Sequence, residues 1–180
     1  MTLHHRCRPS RGLVRLGLVA AAVVAGAGAF AVAGRPLSAP SVTRCDPRDV
    51  VVWLEGRGNA TAGSVYYTLG LTNLSGRRCS LRGYPGVSAL DLHRRQLGSA
   101  AGRTPGASVR TVLIAPGRSA QVRLQLNDPG VFPSAACRPV TAAGLRVYLP
   151  DATAASVVPV PFGACSRKGP PYLHVSAVTA

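Results

Sequence analysis

The chain has 180 residues, with 21 Lys and Arg against 6 Asp and Glu, a formal net charge of +15 and 5% aromatic residues. That length suits one ordinary domain with a core of its own and leaves no room for a second. Six acids are too few to assemble paired-carboxylate chemistry or a calcium loop with ease, and the five cysteines include no Cys-x-x-Cys pair, so a zinc ribbon is excluded.

The chain opens with a basic stretch. Met1 to Arg15 carries Arg6, Arg8, Arg11 and Arg15 and no acid, and Leu16 to Ala33 is an unbroken apolar run ending in Ala31-Val32-Ala33. This is the layout of a secretory leader cut after Ala33. The alternative is a signal-anchor helix that stays in the membrane, since the run reaches the lower end of a bilayer span. The dominance of Ala and Gly makes the run weakly hydrophobic and favours cleavage. Residues 34–44 are rich in Pro and Ser without periodicity and read as a tether. Residues 45–180 then form a single domain.

Four cysteines remain beyond the leader: Cys45, Cys79, Cys137 and Cys165. An even number in an exported chain reads as two disulfides. Three pairings exist. Cys45 with Cys79 and Cys137 with Cys165 joins neighbouring segments and staples the two halves of the domain separately, so this pairing is expected.

From Cys45 on, the pattern is one of short strands. Val50 to Glu55 is β-branched and aromatic, and Gly56-Arg57-Gly58-Asn59 is expected to break it. In Ser64 to Thr72, Val65, Tyr67, Leu69 and Leu71 share one face by the period of two, which predicts a half-buried central strand. Asn73-Leu74-Ser75-Gly76 and Gly83-Tyr84-Pro85-Gly86 are turn chemistry on either side of Cys79, and Val87 to Leu92 follows as a strand. His93 to Gln96 is hairpin-like and Gly98 to Gly106 is a loop. Ser108 to Ile114 and Ala120 to Leu126 are expected to pair as a hairpin around Ala115-Pro116-Gly117-Arg118.

Asn127 to Val140 is an irregular connection, Leu145 to Leu149 alternates again, and Ser156 to Phe162 is confined by Pro159 and Pro161 to a sheet edge or a bulge. Leu173 to Val178 closes the chain. About seven to nine short strands with frequent Gly and Pro turns argue for an all-β, antiparallel sandwich preceded by the leader helix.

The run Cys79-Ser80-Leu81-Arg82-Gly83-Tyr84-Pro85-Gly86-Val87, together with Ala62-Gly63, Thr72-Asn73 and the Ala115 to Ala120 turn, resembles the family known as domain of unknown function 4232, secreted and surface proteins of high-GC Gram-positive bacteria. The resemblance covers roughly Cys45 to Val178. It implies an immunoglobulin-like β-sandwich outside the cytoplasm and brings no catalytic residue or cofactor with it.

No nucleophile, base and orienting acid come together in the sequence. His93 and His174 are the only imidazoles beyond the leader, and neither has an acid beside it. No catalytic residue, metal ligand or cofactor is assigned. The expectation is a non-enzymatic binding or interaction module at the cell envelope, with a small-ligand carrier or an enzyme with a loop-built site as the alternative.

The arginines are spread and carry no recognition motif, so nucleic acid is not the expected partner. An anionic envelope polymer or another envelope protein is, and a membrane enters only through an uncleaved leader. Arg110, Arg123 and Arg146 alternate with apolar neighbours on three predicted strands, and would form one anion-binding face if those strands shared a sheet. Tyr84 and Pro85 mark a rigid turn expected to be exposed. Trp53 and the tyrosines serve either core packing, their usual use in a sandwich, or a stacking platform.

Overall fold

The computed structural model describes residues 42–106 and 108–180; the expected leader and most of the tether lie outside them. In chain order the strands are β1 (Val50–Thr61), β2 (Ser64–Asn73), β3 (Cys79–Arg82), β4 (Gly86–Leu90), β5 (Gln96–Leu97), β6 (Gly102–Arg103), β7 (Thr111–Ile114), β8 (Ser119–Asn127), β9 (Pro139–Tyr148), β10 (Ala155–Cys165) and β11 (Leu173–Val175). A 3-10 turn (Pro129–Val131) and one turn of α-helix, α1 (Ser134–Cys137), lie between β8 and β9. One sheet has the order β1-β2-β8-β11-β6, a second β10-β9-β4-β5, and β3 pairs with β7 in a two-stranded ribbon. All ladders are antiparallel except β11 with β6. The count exceeds the seven to nine expected because β5 and β6 are two-residue segments too short to leave a pattern in the sequence.

The fold is the expected all-β sandwich. Inward side chains of the first sheet (Leu69, Leu71, Val122, Leu124, Val175), of the second (Val87, Ala89, Leu145, Val147, Val158) and of the ribbon (Leu81, Val112, Ile114) form one buried cluster. The alternation read in β2 and β8 is what places them there: β8 is buried on one face and largely wet on the other, and β2 buries Leu69 and Leu71 on the same side. Tyr172 is buried in the same cluster and donates its hydroxyl to Leu97 O at 3.3 Å.

Burial pushes the Tyr172 phenol up to about 12. The folded chain therefore keeps a proton that the unfolded chain, with an ordinary phenol near 10, releases, so stability falls as pH rises from about 10 to 12. Alkaline titration followed by phenolate absorbance and circular dichroism together is expected to show Tyr172 ionising only as the fold is lost. Ionisation near pH 10 with the fold intact would contradict its burial.

Four expectations are corrected. Gly56 to Asn59 does not end a strand: β1 continues to Thr61, pairing Glu55 with Thr68 and then Asn59 with Tyr66. Gly56 has φ +64°, a conformation glycine takes without strain, and this lets two surplus residues loop out as a bulge before pairing resumes. Second, β7 and β8 do not form a hairpin, because β7 pairs with β3 while β8 pairs with β2 and β11.

The third correction is β6, which lies inside the expected loop of Gly98 to Gly106 and pairs with β11. Last, paired backbone is present before Cys45: Ser80 N–H donates to Thr43 O and Cys45 N–H to Ser80 O, so the end of the expected tether is a short parallel bridge on β3. The prolines behave as read. β10 is the edge of its sheet, and its register shifts between Pro159 and Phe162.

The reason β7 and β8 separate is Asn73, wholly buried at the end of β2. Its side-chain amide donates to Arg77 O (2.9 Å) and Ile114 O (3.0 Å), and its carbonyl oxygen accepts from Ser75 N and Ser75 Oγ. Its backbone accepts from Gly117 N and donates to Arg118 O. The Pro116-Gly117 turn is thus held against the end of β2, and the chain passes there from the ribbon to the first sheet.

Candidate functional site

A cleft of about 830 Å³ opens among the described residues. One wall is the segment Arg44 to Arg48, fastened to β3 by the Cys45–Cys79 disulfide. The floor is the outer face of β3, where Ser80 and Arg82 alternate with the buried Cys79 and Leu81. The opposite wall is the β9–β10 turn, Pro150 to Ala154, and the rim carries Tyr84 and Arg103.

Four arginines line this cleft, and two are already neutralised. Arg48 holds Asp46 through both guanidinium nitrogens, Nε to Oδ1 at 3.1 Å and Nη2 to Oδ2 at 2.8 Å, and its backbone N–H also donates to Oδ1. The side-chain bonds from Arg48, followed by its backbone N–H, pull the Asp46 carboxyl down to about 2, so this pair stays ionised across the ordinary pH range. Arg44 approaches Asp151 at 3.4 Å, an exposed pair of the weak kind. Arg82 and Arg103 are exposed, and neither has a carboxylate partner among the described residues.

Arg103 has its guanidinium carbon 5.3 Å from the centre of the Tyr84 ring, within cation–π range, which fixes the head group at the rim. Tyr84 in turn reaches Thr104 O at a long 3.5 Å. The Cys79 to Val87 run is therefore mainly architecture: Cys79 and Leu81 enter the core, Gly83 at φ +110° makes the reversal, and Val87 is the first buried residue of β4 in the second sheet. Of the residues of the run that line the cleft, Ser80 to Tyr84, Arg82 brings the charge and Tyr84 the aromatic ring.

The three arginines expected to form one face are not brought together. Arg123 is on β8 in the first sheet, Arg146 on β9 in the second, and Arg110 precedes β7 of the ribbon. Arg146 Nη2 donates to Arg94 O at 2.7 Å, and Arg110 Nε to Ser108 Oγ at 3.2 Å. The alternation that aims each outward is a local property; sheet membership depends on partners far along the chain. The turn at Tyr84 and Pro85 is also less open than expected, with Tyr84 half-buried and Pro85 buried, because Val178 N–H holds Gly83 O and Gly86 pairs with Tyr148. Both cysteine pairs form as expected, Cys45–Cys79 and Cys137–Cys165.

Fold and cleft together define a disulfide-stapled β-sandwich with a basic cleft, and the disulfides fit an oxidising, extracytoplasmic compartment. No helix among the described residues is long and apolar enough to cross a membrane. The chain belongs to the family described as Domain of unknown function (DUF4232), whose model matches residues 45–179. Among curated proteins, no relative matches it.

Proposed function

We propose that the chain is an exported, non-enzymatic binding module of the cell envelope, and that its cleft holds the phosphate or carboxylate groups of an anionic envelope polymer. The observation that carries this reading is the pair Arg82 and Arg103, two exposed guanidinium groups in one cleft with no carboxylate partner among the described residues. A guanidinium fork matches both kinds of oxyanion, and the Tyr84 ring holds one of the forks in place. Export rests on the basic and apolar leader together with the two disulfides. The non-enzymatic part rests on the imidazoles: His93 is exposed in the turn after Asp91, and His174 lies on β11 beside Gln125, neither within ion-pair reach of an acid among the described residues.

The test is salt elution from immobilised polyphosphate and polyglutamate. The double variant Arg82→Gln/Arg103→Gln is expected to elute at clearly lower salt than the parent, with unfolding free energy within about 0.5 kcal/mol per site because both side chains are exposed. Arg110→Gln/Arg123→Gln/Arg146→Gln removes more charge from three separated places and is expected to shift elution less. Co-elution of the cleft variant with the parent on both resins would remove the cleft from consideration.

A further inference from the structure

The outer face of the five-stranded sheet carries a second, chemically different feature. Trp53 on β1 stands directly across from Gly70 on β2, and its indole fills the space a side chain there would take: a Cβ built on Gly70 would lie 2.5 Å from Cε2 and 2.6 Å from Nε1. One face of the ring is thus laid on the sheet backbone. The single indole donor is used within the protein, Nε1–H to Thr72 Oγ1 at 2.8 Å, and Thr72 Oγ1 is in turn 2.7 Å from Ser119 Oγ. The ring is held flat, and it remains 39% exposed.

Covering a cross-strand glycine is reason enough for an aromatic ring to sit there. It does not account for what surrounds the ring. Ser119 and Gln121 on β8 and Glu55 on β1 are all exposed and on the same face, with Gln121 in register with Gly70 and its amide Nε2 donating to Glu55 Oε2 at 3.1 Å. In a chain with such an excess of arginine, Glu55 has an amide for its partner and forms no ion pair among the described residues. Farther along the same strands lies a smaller depression of about 410 Å³ lined by Asn59, Tyr66, Tyr67, Thr68 and Arg123.

We propose that this shelf binds the pyranose ring of a neutral glycan, with the flat C–H face of the sugar on the exposed face of Trp53 and its hydroxyls on Glu55, Gln121 and Ser119. The C–H face of a pyranose is weakly positive and apolar, which suits the negative face of an indole. A carboxylate bonded to an amide offers adjacent acceptors and donors, which is what vicinal hydroxyls need. An anionic polymer would meet Glu55 as a like charge and gain nothing from the ring. The Arg82 and Arg103 cleft is on another part of the fold, so the two sites fail or succeed separately.

Trp53 is the only tryptophan in the chain, so tryptophan emission reports this site alone. Full-length exported protein is titrated with neutral oligosaccharides of glucose, galactose, mannose and N-acetylglucosamine, and emission and acrylamide quenching are followed. At least one of them is expected to shift the emission and shield Trp53 from quencher. Glu55→Gln/Gln121→Ala, two exposed changes that leave the ring in place, is expected to weaken that sugar about tenfold or more through lost hydrogen bonds. Arg82→Gln/Arg103→Gln is expected to bind it like the parent. No response to any of the four up to about 10 mM, where even weak sites fill, overturns the proposal. So does a response that survives Glu55→Gln/Gln121→Ala unchanged, or shielding that grows with protein concentration alone and marks a second copy of the chain as the occupant.

Discussion

Asn73→Ala is expected to lower the unfolding free energy by about 2–4 kcal/mol, a large share of what holds a domain of this size together. The substitution removes four side-chain hydrogen bonds at once and takes the amide donor from Ile114 O in a site without water access. It also releases the turn after β2, held through Ser75 and Arg77, and the end of β7, held through Ile114, while the Pro116-Gly117 corner keeps its bonds to the backbone of residue 73. Asn73→Asp has the same shape but turns the donor into an acceptor facing two carbonyls, so it is expected to cost at least as much. Denaturant melts of both variants with an unchanged slope and a lower midpoint are the expected result. A loss of under about 1 kcal/mol in Asn73→Asp would show that the site admits water and that the end of β7 is held by other contacts.

Asn73 also marks the boundary of what can be read from the sequence. The inward faces of β2 and β8 are legible because the period of two belongs to the strand itself: Val65, Tyr67, Leu69 and Leu71 alternate whatever their neighbours are. Pro159 and Pro161 announce an edge with a bulge because a residue without N–H cannot complete a central ladder. Ala115 to Arg118 carries the same turn chemistry whether the strands on either side pair or part, and the choice is made by an asparagine about forty residues earlier. Gly56 to Asn59 is ambiguous in the same way, since positive-φ glycine serves a break and a bulge alike.

The candidate site suffers most from this limit. Arg110, Arg123 and Arg146 have the outward alternation and lack the common sheet, while Arg82 and Arg103 line one cleft although they lie on β3 and β6, with β6 paired to β11 and Arg103 over the Tyr84 ring. Arg82 alternates with Cys79 and Leu81 in the Cys79 to Val87 run, a pattern that aims it outward, whereas Arg103 follows a stretch without any pattern. Trp53 lying on Gly70 was signalled only by an aromatic and a glycine on neighbouring predicted strands, a pair that becomes meaningful once the register aligns them.

Replacing Cys45 and Cys79 together with alanine is expected to destabilise the chain by about 3–4 kcal/mol, because the bond closes a loop with a sequence separation of 34 and its loss releases that constraint in the unfolded chain. Cys137→Ala/Cys165→Ala, with a separation of 28, is expected to cost nearly the same. Their effects on binding should differ. Arg44 to Arg48 forms one wall of the basic cleft, and apart from the disulfide its hydrogen bonds to β3 among the described residues are the backbone bonds of Thr43 and Cys45 with Ser80 and one from Ser80 Oγ to Thr43 O. The second staple ties α1 to the end of β10, where Ser166 and Arg167 bond back to Arg138 and Cys137, and none of these residues lines the cleft. At a temperature where both double variants remain folded, polyphosphate retention should fall in the Cys45/Cys79 variant and stay at the parent level in the Cys137/Cys165 variant. Equal retention in the two would mean that the Arg44 to Arg48 wall keeps its place without the disulfide, and that the bond serves stability alone.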